Sequence, residues 1–135
     1  MNYGSLILFS METIHLPLKK QWYKMEESGE KKEEYREITP YWITRLCKSG
    51  NSLIETDRDG NYDYDRTLRN LEFVISHNGS DVLFKKYRFA EFSYGYTRRR
   101  MTFEVKSIRI GTGKPEWGAE PNKLYFVFEL GKRIN

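Results

Sequence analysis

The sequence has few of the residues that build disulfide scaffolds and metal centres. Its 135 residues include one cysteine and two histidines. Cys47 has no second cysteine to pair with inside the chain, which fits a reducing compartment and predicts a cytoplasmic location and a buried structural thiol. His15 and His77 are far apart and lack the spacing of metal ligands, so we expect no metal site and no cofactor.

Long apolar runs are absent as well. The first ten residues hold a brief one, LILF at residues 6–9, without a basic segment before it or a small-residue cleavage site after it. The run is too short to cross a bilayer, so no membrane partner is expected. Met11 is an alternative start, and we expect residues 1–10 to be a disordered N-terminal extension.

Aromatic residues, by contrast, are plentiful. They make up 16% of the chain within a hydrophobic fraction of 39%, which is enough to fill one core and favours strands over a helical bundle. The length suits a single domain over residues 11–135. The net charge of +4 favours a polyanionic partner, and the bases concentrate at residues 85–100 while the acids concentrate at residues 26–37.

The hydrophobic pattern predicts a strand, helix, strand opening. Residues 13–18 alternate as a strand does, and a helix ends at Ser28-Gly29, where glycine supplies a left-handed cap. Residues 31–38 form a second strand, and Thr39-Pro40 starts a second short helix over residues 41–47. Residues 71–75, 88–96, 101–110 and 124–130 are predicted as further strands, whose apolar faces would close a barrel.

A polar segment interrupts this pattern. Residues 48–70 carry turn signals at Gly50-Asn51 and Asp59-Gly60-Asn61 and predict an exposed inserted loop. The aspartates of residues 57–65 lack the glycine and glutamate positions of a calcium-binding EF-hand loop, so they do not predict a metal. The loop is a candidate surface for a protein partner.

Several motifs in this order resemble one family. The sequences are LPLK at residues 16–19, WY at 22–23, SGEKKEEYR at 28–36, FSYGY at 92–96, TFEV at 102–105, PEWGA at 115–119 and YFVFELG at 125–131. They resemble a phage-associated and gut-bacterial branch of the ASCH domains. The resemblance covers most of residues 11–132 and leaves residues 48–70 unmatched.

The resemblance implies a fold and a site. It predicts an α+β, PUA-like mixed β-barrel with two short helices near the N-terminus, and a cleft beside the Gly29-Glu30-Lys31 turn that holds RNA, a nucleotide or a modified nucleoside. Some family members are amidohydrolases acting on acetylated cytidine, and nuclease activity has been ascribed to others. The amidohydrolase pattern has a threonine three residues after the lysine, where this chain has Glu34.

The residues themselves support two hypotheses. On a strand, Lys32, Glu34 and Arg36 share one face, which would form a charged cleft floor; the competing interpretation is a surface strand with ion pairs. A binding module would contact nucleic acid through a basic and aromatic set consisting of Lys19, Lys31, Arg36, Tyr94, Tyr96, Arg98, Arg99, Arg100 and Trp117. An enzyme would use Lys31 as base or electrostatic stabiliser and Glu34 or Glu104 as general acid or base.

Overall fold

A computed structural model describes residues 12–135, and the predicted extension at residues 1–10 lies outside that range. Five strands and five α-helices follow one another along the chain. The strands are β1 (Thr13–Leu18), β2 (Glu33–Glu37), β3 (Phe89–Tyr94), β4 (Arg100–Thr112) and β5 (Leu124–Arg133). The helices are α1 (Lys20–Glu27), α2 (Pro40–Leu46), α3 (Gly50–Leu53), α4 (Tyr64–Asn78) and α5 (Ser80–Leu83), with a 3₁₀ turn at Pro115–Trp117. The α+β class and the two short helices near the N-terminus are confirmed.

All five strands belong to one curled sheet. Its order is β1-β3-β4-β5-β2, in which β1 and β3 are parallel and the other neighbours are antiparallel. The sheet is a half-barrel, because β1 and β2 stand at its two edges and do not pair with each other. Arg36 on β2 links these edges, donating from Nη2 to the Pro17 carbonyl oxygen on β1 at 3.0 Å.

The two faces of β5 explain where the apolar residues go. Phe126, Phe128 and Leu130 point into the main core, so these alternate residues share one apolar face of β5, as predicted. Tyr125 and Val127 point to the other face and pack with Tyr35, Ala119 and Trp117 in a second, smaller cluster. A strand that is buried on both faces has a continuous run of apolar residues in its sequence, and residues 124–128 form such a run.

The start of α2 follows from local chemistry. Thr39 has extended backbone angles, and its side chain accepts a hydrogen bond from the Trp42 backbone N–H at 3.4 Å, while Pro40 occupies the first helical position. Ile43 and Leu46 on this helix are fully buried in the main core. The helix therefore closes over the sheet beside β2.

The prediction of a strand at residues 71–75 is wrong. These residues lie within α4, which begins with the Asp63 side chain accepting from the Arg66 backbone N–H at 3.1 Å. Residues 48–70, predicted as a loop, include α3 and the first turns of α4. The sequence LEFVI at residues 71–75 fits both the two-residue period of a strand and the 3.6-residue period of a helix. In the structure, Leu71, Val74 and Ile75 lie on the helical face that packs against the core.

None of the helices in residues 12–135 is long and apolar enough to cross a membrane.

The helical assignment of α4 predicts unequal effects at two of its residues. Leu71 is fully buried and Phe73 is 59% exposed, whereas a strand would place both on one face. Leu71→Ala should lower the free energy of unfolding by about 2–5 kcal/mol, and Phe73→Ala should change it by less than about 0.5 kcal/mol. Urea denaturation of both variants would measure this, and similar losses in the two would contradict the helix.

Candidate functional site

A cleft runs along the unpaired edge of β2. It has a volume of about 200 Å³ and is lined by residues of β1, the start of α1, β2, β5 and the 3₁₀ turn. The lining residues are Pro17, Leu18, Lys19, Trp22, Glu34, Tyr35, Arg36, Trp117, Gly118 and Tyr125. Four residues expected at the site, Lys19, Glu34, Arg36 and Trp117, are therefore brought together here.

Two of these residues carry opposite charges at the edge of the sheet. Glu34 is 6% exposed, and its Oε1 accepts from the Tyr35 backbone N–H at 3.0 Å. Arg36 is half-buried, its guanidinium lies 5.1 Å from the centre of the Trp42 ring, and its buried Nε has no hydrogen-bond partner. Buried donors are nearly always paired, so this Nε, which has almost no accessible surface, is an exception.

Lys31 lies behind the cleft instead of lining it. Its side chain is 1% exposed, and Nζ lies 3.0 Å from Glu26 Oε1 and 3.4 Å from Glu34 Oε2. Nζ also donates to the Glu33 backbone carbonyl. The contacts with Glu26 and with the Glu33 carbonyl oxygen are hydrogen bonds, whereas the contact with Glu34 is an ion pair. Lys31 is therefore engaged by groups of its own chain. Its place in the structure is that of a positioning residue for Glu34.

Glu26 completes this buried group. Burial is the main cause that raises the pKa of Glu26 well above 4.5; the Glu34 carboxylate raises it further, while Lys31 opposes the shift. Oε2 of both glutamates lacks a hydrogen-bond donor. A proton on Glu26 shared with Glu34 would serve both oxygens and leave one negative charge beside one ammonium.

The start of α1 brings positive character to one end of the cleft. Lys19 is exposed and precedes the helix in an extended conformation, and no side chain caps the first turn. The Trp22 and Tyr23 amides both donate to the Lys19 carbonyl oxygen at 3.1 Å, so the amides left at the positive end of the helix dipole are those of Lys20 and Gln21. Lys19 and these amides together favour an anionic group at this end.

The aromatic wall is formed by two tryptophans on different segments. Gly118 has φ +103, and a Cβ there would come within 3.0 Å of the Trp22 ring, so this position needs glycine for the turn and for the close approach. The neighbouring Trp117 is half-buried, and Lys114 Nζ lies 4.3 Å from the centre of its ring. The loop thereby holds Trp117 at the cleft.

The predicted basic and aromatic contacts after β3 lie away from the cleft. Arg99 binds Glu27 at 2.6 Å and lies over the rings of Tyr23 and Tyr94, while Arg100 is 3.7 Å from Glu91. Tyr96 is fully exposed, and Arg98 is exposed beside it. Tyr94, Tyr96, Arg98, Arg99 and Arg100 therefore do not join the cleft-lining set, and their nucleic-acid contact stays a prediction.

Two further candidates are also separate from the cleft. The Glu104 carboxylate lies beside Gly131, and within residues 12–135 no hydrogen bond or ion pair joins it to Lys31. Cys47 is buried, and burial raises the pKa of its thiol to about 12, which keeps the thiol protonated. This agrees with the structural role expected for Cys47.

Sequence reasoning missed Glu26 and Trp22 as parts of the site. Trp22 is named in the sequence only as part of the family-like motif at residues 22–23, whereas the structure places it half-buried at the cleft. Glu26 carried one signal, since it is an acid at the negative end of a helix. Glu26 and Lys31 are five residues apart and meet because the chain turns at Gly29. The turn brings Lys31 back to the end of α1, where the Lys31 backbone N–H donates to the Met25 carbonyl oxygen at 3.0 Å.

Comparison with known proteins identifies no relative: no family model, no curated protein and no solved structure matches the chain.

The raised pKa of Glu26 predicts how stability depends on pH. Between the ordinary value of 4.5 and the raised pKa, the folded chain holds a proton that the unfolded chain releases, so the free energy of unfolding falls as pH rises. Glu26→Gln resembles the protonated carboxyl and does not titrate. We expect the stability of Glu26→Gln to increase relative to the wild type as pH rises.

Urea denaturation between about pH 5 and pH 8 would measure this trend. Glu30→Gln is the matched control, because Glu30 is exposed in the same turn. Parallel stability profiles for wild type and Glu26→Gln would rule out a bound proton at Glu26.

Proposed function

We propose that this chain is an RNA- or nucleotide-binding module of the ASCH type with a PUA-like fold, and that its ligand enters the cleft beside β2. The observation that carries the proposal is the pair Glu34 and Arg36. A carboxylate and a guanidinium, two residues apart on one edge strand, line a hollow with aromatic walls. Polar groups in such a hollow orient a ligand that is itself both aromatic and polar.

A nucleotide meets each of these features. Its base can stack on Trp117 or Trp22, a base amino group can donate to Glu34, and a base carbonyl can accept from Arg36. Its phosphate suits the first turn of α1 next to Lys19. A base and a phosphate therefore each have complementary groups among the residues that line the cleft.

The size of the cleft narrows the class of ligand. Its volume of about 200 Å³ is below the roughly 300–1,000 Å³ of pockets that enclose drug-sized ligands. The cleft suits one base or nucleoside unit, either free or splayed out from a single strand. A stacked duplex does not fit this description.

The resemblance to ASCH domains gives independent support. Their expected cleft lies beside a G-x-K turn; here Gly29 and Lys31 line a separate hollow at that turn, and the contact of Lys31 with Glu34 connects the turn to the cleft beside β2. The mixed half-barrel sheet is compatible with a PUA-like barrel. The departure from the family concerns the direct role of the lysine, since the Lys31 ammonium is buried and bonds to Glu26 and to the Glu33 carbonyl oxygen of its own chain.

Removal of the stacking ring should weaken binding of a mononucleotide. Base stacking on an aromatic side chain contributes about 1–3 kcal/mol, so Trp117→Ala should raise the dissociation constant about 5- to 150-fold. Isothermal titration calorimetry with a panel of nucleoside 5′-monophosphates would measure it. Tyr96→Ala, which removes a fully exposed ring outside the cleft, should leave the affinity unchanged.

A wild-type protein that binds none of the monophosphates would refute the proposed function. Equal losses for Trp117→Ala and Tyr96→Ala would place the ligand elsewhere.

A hydrolase acting on a modified nucleoside or on RNA is the second candidate, and Glu34 is the observation that favours it. Its carboxylate is buried 3.4 Å from the Lys31 ammonium at the wall of the cleft, a setting in which a carboxylate can take a proton from water. Since Glu34 stands where the amidohydrolase pattern has threonine, water replaces the hydroxyl as nucleophile. Glu34 would then return the proton to the departing amine.

Glu34→Gln separates hydrolysis from binding because it keeps the shape and removes the base. We expect this variant to lower the rate of acetate release from acetylated cytidine about 10²- to 10⁴-fold while it still binds the nucleoside. Glu30→Gln is the control with the same change at an exposed neighbour. Equal rates for wild type and Glu34→Gln would exclude this role, and acetate release can be followed by chromatography.

A further inference from the structure

Two shallow hollows lie on either side of Lys106, apart from the cleft. One lies at the Gly29-Glu30-Lys31 turn, has a volume of about 300 Å³ and is lined by Gly29, by the buried Lys31, by Lys32 and by residues of β4 and β5 that include Lys132. The other has a volume of about 280 Å³ and is lined by the segment from Ser80 to Arg88 together with β4. Lys106 lines both, so the hollows form one continuous surface, here called the β4 lysine surface.

This surface is strongly cationic. Its exposed basic residues are Lys32, Lys85, Lys86, Arg88, Lys106 and Lys132, and the one carboxylate that lines it is Asp81. Arg88 pairs with Glu12, and Lys85 donates to the Thr44 carbonyl oxygen. Within residues 12–135, the side chains of the other four lysines have no hydrogen-bond or ion-pair partner.

Two β-bulges create the surface. Val105 pairs with Leu130 and Ser107 with Glu129, so Lys106 is an extra residue on β4. Phe103 pairs with Arg133, so β5 carries an extra residue between Leu130 and Arg133, where Lys132 lies. Bulges redirect side chains and are frequent beside functional sites. Here each of two opposed bulges carries a lysine that lines the same hollow.

The arrangement of the lysines indicates the kind of anion. They come from four separate segments and line two adjacent hollows, instead of converging on one point. A single small anion would use one hollow, whereas a chain of phosphates would use both with Lys106 between them. Lysine binds phosphate as a point charge without fixed geometry, which suits a backbone contact that ignores sequence.

We propose that the β4 lysine surface binds the phosphate backbone of a single nucleic-acid strand. The inference rests on the proposed function, in that the strand is the one whose base enters the cleft. It also goes further, because it assigns the polyanion contact to Lys106 and Lys132 and not to the arginines at residues 98–100. The cleft then selects a base, and the surface supplies affinity that depends on salt.

The test uses the double variant Lys106→Ala/Lys132→Ala and a fluorescently labelled single-stranded RNA of mixed sequence. Fluorescence anisotropy would give the dissociation constant over a series of salt concentrations. The logarithm of the binding constant falls linearly with the logarithm of the salt concentration, and the steepness of this line is here called the salt slope. For a single strand, each lost phosphate contact lowers the salt slope by about 0.7, so the double variant should lose about 1.4. Single-stranded DNA of the same sequence should lose the same amount, because the contacts are to phosphate.

The control is Lys24→Ala/Arg58→Ala, which removes the same two charges at exposed positions away from the surface. Its slope should stay within experimental error of the wild type. A control slope that falls as far as that of the double variant would overturn the inference, since net charge alone would then explain the effect.

Neutral nucleosides separate this inference from the function on which it rests. Nucleoside binding, followed by tryptophan fluorescence, tests only the cleft. If nucleosides bind but the salt slope for RNA is the same in the wild type and the double variant, the proposal for the β4 lysine surface is refuted and the proposal for the cleft is kept. If nucleosides fail to bind while the RNA slope falls as expected, the cleft proposal is wrong and the surface stands.

Two further experiments test whether the effect depends on the sign of the charge at the surface and whether the partner is RNA or a membrane. The Glu104 carboxylate and the Lys106 stem lie on either side of Gly131, so Glu104→Gln should tighten RNA binding, a gain that misfolding cannot produce. Weaker or unchanged RNA binding would count against the surface. Binding to phosphatidylserine vesicles that the double variant loses, with RNA binding unaltered, would assign the lysines to a membrane and overturn the inference.

Discussion

The buried ion pair between Lys31 and its two glutamates is the interaction on which the site depends. An ammonium that is 1% exposed and carboxylates that are 0% and 8% exposed are costly to remove from water. Deleting one member of such a group typically costs about 3–5 kcal/mol, yet replacing the whole group with apolar residues is often neutral. Stability alone therefore does not account for it. What the group does achieve is to fix the Glu34 carboxylate at the edge of β2, with Lys31 behind it and the cleft in front.

The open edge of the sheet is the second requirement. In a closed barrel, β1 would occupy the side of β2 where Glu34 now caps the Tyr35 amide and where Arg36 reaches the Pro17 carbonyl oxygen. The half-barrel instead joins its edges through side chains and leaves a gap between them. The aromatic residues that border this gap come from α1, β5 and the 3₁₀ turn, so sheet curvature, helix placement and turn geometry all contribute to one cleft.

The sequence predicted those features that depend on local periodicity. The first strand, the two N-terminal helices and the apolar face of β5 follow from alternation and from capping residues, and the structure has them. The same method fails at residues 71–75, because a short apolar run satisfies both helical and strand periods and only packing decides between them. It also fails at Lys31. Its position in the turn was predictable, but its burial depends on Glu26, and the one local sign of that partner is an acid at the negative end of a helix.

The sequence places lysines and arginines together at residues 85–100, but the structure divides these basic residues into two groups with different surroundings. The arginines at residues 98–100 are largely engaged by Glu27, Glu91 and aromatic rings, whereas lysines far apart in the chain converge on β4. Inside the cleft, burial strengthens the charges of Glu34 and Arg36, so they can discriminate between ligands by geometry. On the lysine surface, charges in water attract any phosphate and are screened by salt. A chain that bound by the surface alone would ignore sequence, and one that bound by the cleft alone would hold a single base weakly, so each feature supplies what the other lacks.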